Sequence, residues 1–158
     1  MNDQNNDHSL GISRLLDAPR ELVWQVWTAP EHVLRWWGPV GFTNTNKEMD
    51  VRSGGLWRFT MHGPDGRDYQ NRVDFVEVVK PERLVYIQSG EEDTADIKFH
   101  VTVTFEEQSG KTQLTMRMVF DTAAELKRVV EEFGAEEGMH EHVGRLVAYL
   151  KQSLETLA

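Results

Sequence analysis

Between residues 42 and 120 the apolar residues recur at every second position, and this period fixes most of what the chain can become. A period of two sends alternate side chains to opposite faces of a strand. In residues 56–62, Trp57, Phe59 and Met61 share one face, while Arg58, Thr60 and His62 share the other. Residues 97–106 repeat the pattern, with Phe99, Val101, Val103 and Phe105 set against His100, Thr102 and Thr104. Residues 112–120 carry Leu114, Met116, Met118 and Phe120 on a single face. Weaker strands are expected over residues 43–51, 69–79 and 83–88. Turn chemistry separates them. In Gly63-Pro64-Asp65-Gly66 the proline presets φ and the glycine accepts positive φ. Ser53-Gly54-Gly55, Pro81, the acidic loop Glu91-Glu92-Asp93 and Ser109-Gly110 divide the remainder. Successive hairpins without long crossovers imply an antiparallel meander.

The flanks follow a helical period. After a short strand over residues 10–16, Asp17 and Pro19 mark a helix start that leads into Leu22, Val23, Val26 and Trp27. A second start at Thr28-Ala29-Pro30 precedes Val33, Leu34, Trp36 and Trp37, and Gly38-Pro39 stops it. Past the strands, Thr122 and Glu125 have the spacing of a capping box. Leu126, Val129, Val130 and Phe133 follow, with Gly134 placed to break or bend the helix. Met139, Val143, Leu146, Leu150 and Leu154 then form one stripe about four turns long, flanked by Glu136 and Glu137 at its start and Lys151 near its end. The order is that of an α+β chain: strand, two short helices, about six to seven antiparallel strands in all, long helix. One sheet face must bury Trp57, Phe59, Phe99, Val101, Leu114 and Met116, and only the long helix is large enough to cover it. A helix laid across a curved sheet, with the short helices closing one end, encloses a space. Residues 1–9 are expected to be a disordered polar tail, and residues 10–158 a single ligand-binding domain.

Charge and composition remove several function classes. Twenty-six acidic residues against 17 basic ones give −9, which opposes binding to a phosphate backbone or an anionic membrane surface. Without cysteine there is no disulfide, thiolate metal site or cysteine nucleophile. No run reaches the length of a membrane span, and the polar start lacks the pattern of a signal peptide, so a cytoplasmic protein is expected. His140 and His142 lie about 200° apart on a helix and cannot chelate together, while His62 and His100 fall opposite the apolar rows. Neither a metal nor a cofactor is expected. Gly-x-Ser-x-Gly is absent, and Gly54-Gly55 lacks the lysine and helix of a phosphate loop. The acidic run Glu131, Glu132, Glu136, Glu137 and Glu141 is read as a solvated face.

Several spaced motifs resemble one family. These are Leu34-Arg35-Trp36-Trp37-Gly38-Pro39, then Met49-Asp50-Val51-Arg52-Ser53-Gly54-Gly55-Leu56-Trp57-Arg58-Phe59, Gly63-Pro64-Asp65-Gly66, Pro81-Glu82-Arg83-Leu84 and residues 134–138. Together they resemble the activator of heat-shock protein 90 ATPase homologue family, within the START-like (SRPBCC) superfamily. The resemblance spans residues 12–150 and implies a helix-grip fold: a curved antiparallel sheet wrapped around a long C-terminal helix. In that family's eukaryotic activators a separate amino-terminal domain makes much of the chaperone contact.

The expected function is binding of a small hydrophobic or amphipathic molecule between sheet and helix. Ten residues are expected to line the cavity: Trp36, Trp37, Trp57, Phe59, Tyr69, Tyr86, Phe99, Met116, Met139 and Val143. Trp36 and Trp37 are adjacent, so a helix points them about 100° apart, one inward and one towards an opening. Met61, Met116, Met118 and Met139 supply adaptable walls. Tyr69 with Asn71, and Tyr86 with Gln88, share strand faces, where they either orient a ligand or satisfy the sheet. No catalytic residue is assigned. A cyclase or hydrolase of the same fold and a chaperone-associated regulator are the alternatives, and a homodimer is left open.

Overall fold

The alternating segment forms six strands: β2 (Thr43–Met49), β3 (Leu56–His62), β4 (Asp68–Val79), β5 (Arg83–Gly90), β6 (Lys98–Gln108) and β7 (Lys111–Val119). A seventh, β1 (Ser9–Leu16), pairs with β7, giving an open, wholly antiparallel sheet in the order β1-β7-β6-β5-β4-β3-β2. The computed structural model describes residues 8–90 and 98–157. Residues 1–7 of the expected tail and the acidic loop at residues 91–93 lie outside the described residues. The His8 carbonyl accepts from the Phe120 N–H at 2.8 Å, immediately before β1.

Register follows from which face is buried. Val103 pairs with Met116 and Val101 with Met118, which brings the apolar rows of β6 and β7 onto one side. Trp57, Phe59, Val73, Leu84 and Tyr86 continue that side across the sheet, all almost fully buried. Two irregularities interrupt the ladder. One shifts β2 against β3 between Asn46 and Glu48, and the other shifts β4 against β5 between Phe75 and Glu77. An extra residue in one strand bends it locally and turns a side chain away; Val76, inside the second shift, is exposed.

Between β1 and β2 the chain crosses to the opposite edge through α1 (Arg20–Thr28) and α2 (Pro30–Val33). α1 buries Val23, Trp24, Val26 and Trp27. α2 is a single turn, shorter than the expected helix reaching Trp37. The reason lies in the competition for its carbonyls. Asn44 Nδ2 donates to both the Leu34 and the Trp37 oxygens, at 3.1 and 3.0 Å, which a continuing helix would need for itself. Gly38, at φ +93°, then turns the chain out of the helical region.

Beyond β7, α3 (Ala123–Phe133) starts where Thr122 Oγ1 accepts from the Glu125 N–H at 3.0 Å, as an N-cap does. Gly134, left-handed at φ +63°, ends it, and α4 (Ala135–Leu157) begins at once. The α4 stripe buries Met139, Val143, Leu146 and Leu150 in one apolar cluster with Trp57, Phe59, Val101 and Leu114. That cluster fills most of the space between helix and sheet. One end of the space stays open.

Candidate functional site

The open end is a cavity of about 470 Å³. Its floor is the apolar row of β6 and β7, where Phe99 meets Phe120 with ring centroids 5.3 Å apart beside Met116 and Met118. Val129 of α3 and Met139 of α4 close it from above, and residues 38–42 form part of the rim. β4 and β5 contribute a polar strip of Tyr69, Asn71, Gln88 and Ser89. Within it Asn71 is engaged: its Nδ2 donates to the Tyr69 carbonyl at 3.2 Å, and its Oδ1 accepts from Gln88 Nε2 at 3.3 Å.

α4 holds the rim. His142 Nδ1 accepts from the Gly38 N–H at 2.9 Å, and Glu141 Oε1 accepts from the Val40 N–H at 3.0 Å. One turn on, Arg145 Nη1 donates to the Trp37, Gly38 and Pro39 carbonyls at 3.0, 3.1 and 2.9 Å. Successive positions on one helix thus satisfy both donors and acceptors of a segment whose own conformation cannot pair them. Arg145→Met is expected to lower stability by about 2–3 kcal/mol, since it removes charge-assisted bonds and leaves carbonyls without a donor. Amide exchange should quicken at Gly38 and Val40 above all; uniform exchange across the chain would contradict the assignment.

His142 is the least conventional group of the site. It lines the cavity, yet only 7% of it is exposed, and its ring meets those of Trp36 and Trp37 at centroid distances of 5.0 and 4.6 Å. Burial, aided by the nearby Arg145 charge, holds its pKa down at about 3. The ring is therefore neutral. Because Nδ1 is an acceptor, the single ring hydrogen belongs on Nε2, and this donor has no partner among the described residues. Burial also lowers the Arg145 pKa from its ordinary value.

Of the ten residues expected to line the cavity, Trp37, Tyr69, Phe99, Met116 and Met139 stand on its wall. Trp36, Trp57, Phe59, Tyr86 and Val143 do not, and the sequence-based expectation is corrected for these five. Trp36 Nε1 donates to the Val26 carbonyl and Trp57 Nε1 to Asn46 Oδ1, each at 3.0 Å, which fixes both indoles as core. Phe59 stacks on Trp57 with centroids 3.9 Å apart, and Val143 is fully buried under the helix. Tyr86 points to a separate space of about 10 Å³ beside Trp57 and Phe75; burial pushes its phenol far above the ordinary range. Trp57, Phe59 and Tyr86 lie on strands where the tryptophan cluster and α4 already cover the sheet, and Trp36 and Val143 belong to that cover.

Sequence reasoning missed His142, Phe42 and Glu132 on the wall. His142 was legible in part, since it lies three residues after Met139 and four before Leu146, on the buried stripe. The histidines expected outside the core behave differently. His62 Nδ1 contacts Asp68 at 2.7 Å and its Nε2 contacts Thr45 at 2.6 Å, and His100 is exposed. Among the described residues, no group of three or more histidine, aspartate or glutamate side chains could hold a metal ion.

A seven-stranded antiparallel sheet, short helices after its first strand and a long C-terminal helix across one face define a helix-grip fold. Solved structures share it. A protein from Arthrobacter aurescens is 27% identical with a TM-score of 0.87, the alignment covering 93% of this chain and 88% of that one. One from Nitrosomonas europaea is 25% identical at a TM-score of 0.82, covering 94% and 97%. One from Mycobacterium smegmatis, at 24% identity, supports the fold alone, with a TM-score of 0.83 and 94% of each chain covered. No curated protein sequence matches the chain. The family model described as activator of Hsp90 ATPase homolog 1-like protein matches residues 17–151, and the chain belongs to that family.

Proposed function

We propose that this protein binds a small hydrophobic or amphipathic molecule between the sheet and α4, as a cytoplasmic carrier or sensor. The observation that supports this is the cavity itself, at a volume typical of small-molecule sites. Water entering the open end finds partners along the β4–β5 strip but few over the apolar floor and roof, so a ligand that covers those surfaces gains the free energy of releasing that water. No helix among the described residues is long and apolar enough to cross a membrane, which agrees with a ligand carried outside the bilayer.

Native mass spectrometry of freshly purified protein tests the proposal. An adduct that departs on denaturation is the expected result, and Met116→Trp, which fills the floor, should abolish it. A bare mass, together with no stabilisation by any member of an apolar ligand panel, would overturn the reading.

The family's description favours a second reading, regulation of a chaperone ATPase. Glu136 and Glu137, exposed in the first turn of α4, are the surface to test. Reversing both charges should eliminate capture of a chaperone by the tagged protein. Capture unchanged by the reversal, or absent at every ionic strength, counts against this role for the surface.

A further inference from the structure

We propose that the cavity takes an anionic amphiphile. Its head group meets the Arg67 guanidinium and the Tyr69 hydroxyl at the mouth, and its apolar body covers Phe99, Met116 and Met118. This rests on the ligand-binding reading above and names the chemistry of the ligand.

Two observations carry it. The first is the inner face of β4, along which successive residues alternate in side. Asp68 turns outward, where its carboxylate meets His62 Nδ1 at 2.7 Å, while Tyr69 and Asn71 stand on the cavity wall. Arg67 closes the hairpin. Its carbonyl accepts from the Gly63 N–H at 2.7 Å, so the ladder runs one pair past Asp68. Period two therefore puts Arg67 on the cavity side, one step beyond Tyr69 towards the hairpin tip. Its guanidinium carbon lies 5.3 Å from the centre of the Tyr69 ring, a cation–π distance that holds the charge at the edge of the cavity.

The second is what these two groups lack. Among the described residues Arg67 has no ion-pair partner and the Tyr69 hydroxyl has no hydrogen bond. Asp65, in the same turn, accepts from the Arg67 backbone N–H at 3.1 Å and leaves its side chain unpaired. Deeper in the strip, Gln88 Nε2 already donates to Asn71 Oδ1. Two donors, one of them charged, thus stand at the wet end of an apolar cavity. An anionic head accepts from both while staying in water, which avoids the cost of burying a charge. The net charge of −9 repels anions at a distance, so such a ligand requires a local cation. Glu132, exposed on α3, is the acid of the wall and confines the head to the hairpin side.

The test uses the full chain at pH 7.5 and three probes of one chain length: decanoate, decanamide and decylammonium. Binding is followed by tryptophan fluorescence, since Trp37 forms part of the wall, and by the Arg67 Nε–H resonance. Decanoate is expected to bind about fivefold more tightly than decanamide. It should also move the Arg67 resonance, which decanamide leaves in place. Arg67→Gln, at an exposed position, should reduce decanoate to the affinity of decanamide and leave decanamide unchanged. Arg67→Lys, which keeps the charge and loses the planar fork, should retain part of the preference. Decanamide or decylammonium binding as tightly as decanoate overturns the inference and leaves ligand binding standing. Decanoate affinity unchanged in Arg67→Gln does the same. If none of the three binds, the inference fails, and the binding reading fails with it when the purified protein also carries no adduct.

Discussion

Trp27→Ala should remove about 3–5 kcal/mol of stability, a large part of what a domain of this size possesses. Trp27 is 3% exposed and meets four rings edge to face: Trp36 at 5.0 Å, Phe105 at 5.7 Å, His142 at 5.9 Å and Trp37 at 6.1 Å. It therefore joins α1 to the sheet, to the loop before β2 and to α4 at once. Each aromatic pair adds about 0.5–1.5 kcal/mol beyond the area it buries, and the space left by alanine has rigid neighbours on every side. Urea unfolding checks this: the midpoint should fall while the slope stays constant. Trp27→Phe should recover about half the loss. A loss below about 1 kcal/mol for Trp27→Ala would mean that the cluster closes over the gap, and the hub assignment would fail.

Acid should weaken the protein earlier than its carboxylates require, and His142 is the reason. Its folded pKa, about 3, lies below the ordinary value of 6.5 because burial, and then Arg145, disfavour the charged ring. The unfolded chain takes up the proton first. Between these two values the unfolded state binds more protons, so stability rises with pH. The contribution is complete above pH 6.5 and declines as the pH falls towards 3. By linkage the loss from pH 7 to pH 4 amounts to about 3 kcal/mol. Carboxylates add losses of their own at the lower end, so the measurement is a difference. Unfolding free energies of the native chain and of His142→Phe should be compared at pH 7 and pH 4. The variant begins less stable, having lost the acceptor for Gly38, but should lose about 3 kcal/mol less over the interval. Parallel pH profiles would show that the ring is not buried as described.

The strand ladder could be read from the residues with little ambiguity, because a two-residue period with turn chemistry between segments admits few alternatives. Leu56–His62 shows this: the alternation ran through its full length, and β3 has those bounds. Thr122 and Gly134 were equally readable, since a cap and a left-handed stop are local devices. α2 was not. Its end depends on Asn44 reaching back to the Leu34 and Trp37 carbonyls, a contact no local pattern encodes. The cavity wall divided for the same kind of reason. Period places Phe59 and Phe99 on one face alike, but which end of that face α4 leaves uncovered is a property of the packed whole. His142 shows the limit most plainly. Its position on the stripe was visible, while its role depends on a glycine 104 residues earlier in the chain.

The two sides of the cavity mouth differ in stiffness. On one side, Glu141, His142 and Arg145 bind the segment from Trp37 to Val40 to α4, so rim and helix can only move as a single body. On the other, the chain passes from α3 to α4 at Gly134, a residue free of the steric limits that bind its neighbours, and α3 is seated by the apolar contacts of Leu126 and Val129. Displacing the rim means breaking charge-assisted bonds; swinging α3 means rotating about a glycine and unseating Leu126 and Val129. The rim therefore resists by directional bonds and the α3 side by apolar packing, which gives way to a solvent-borne apolar group more readily than a bonded carbonyl does.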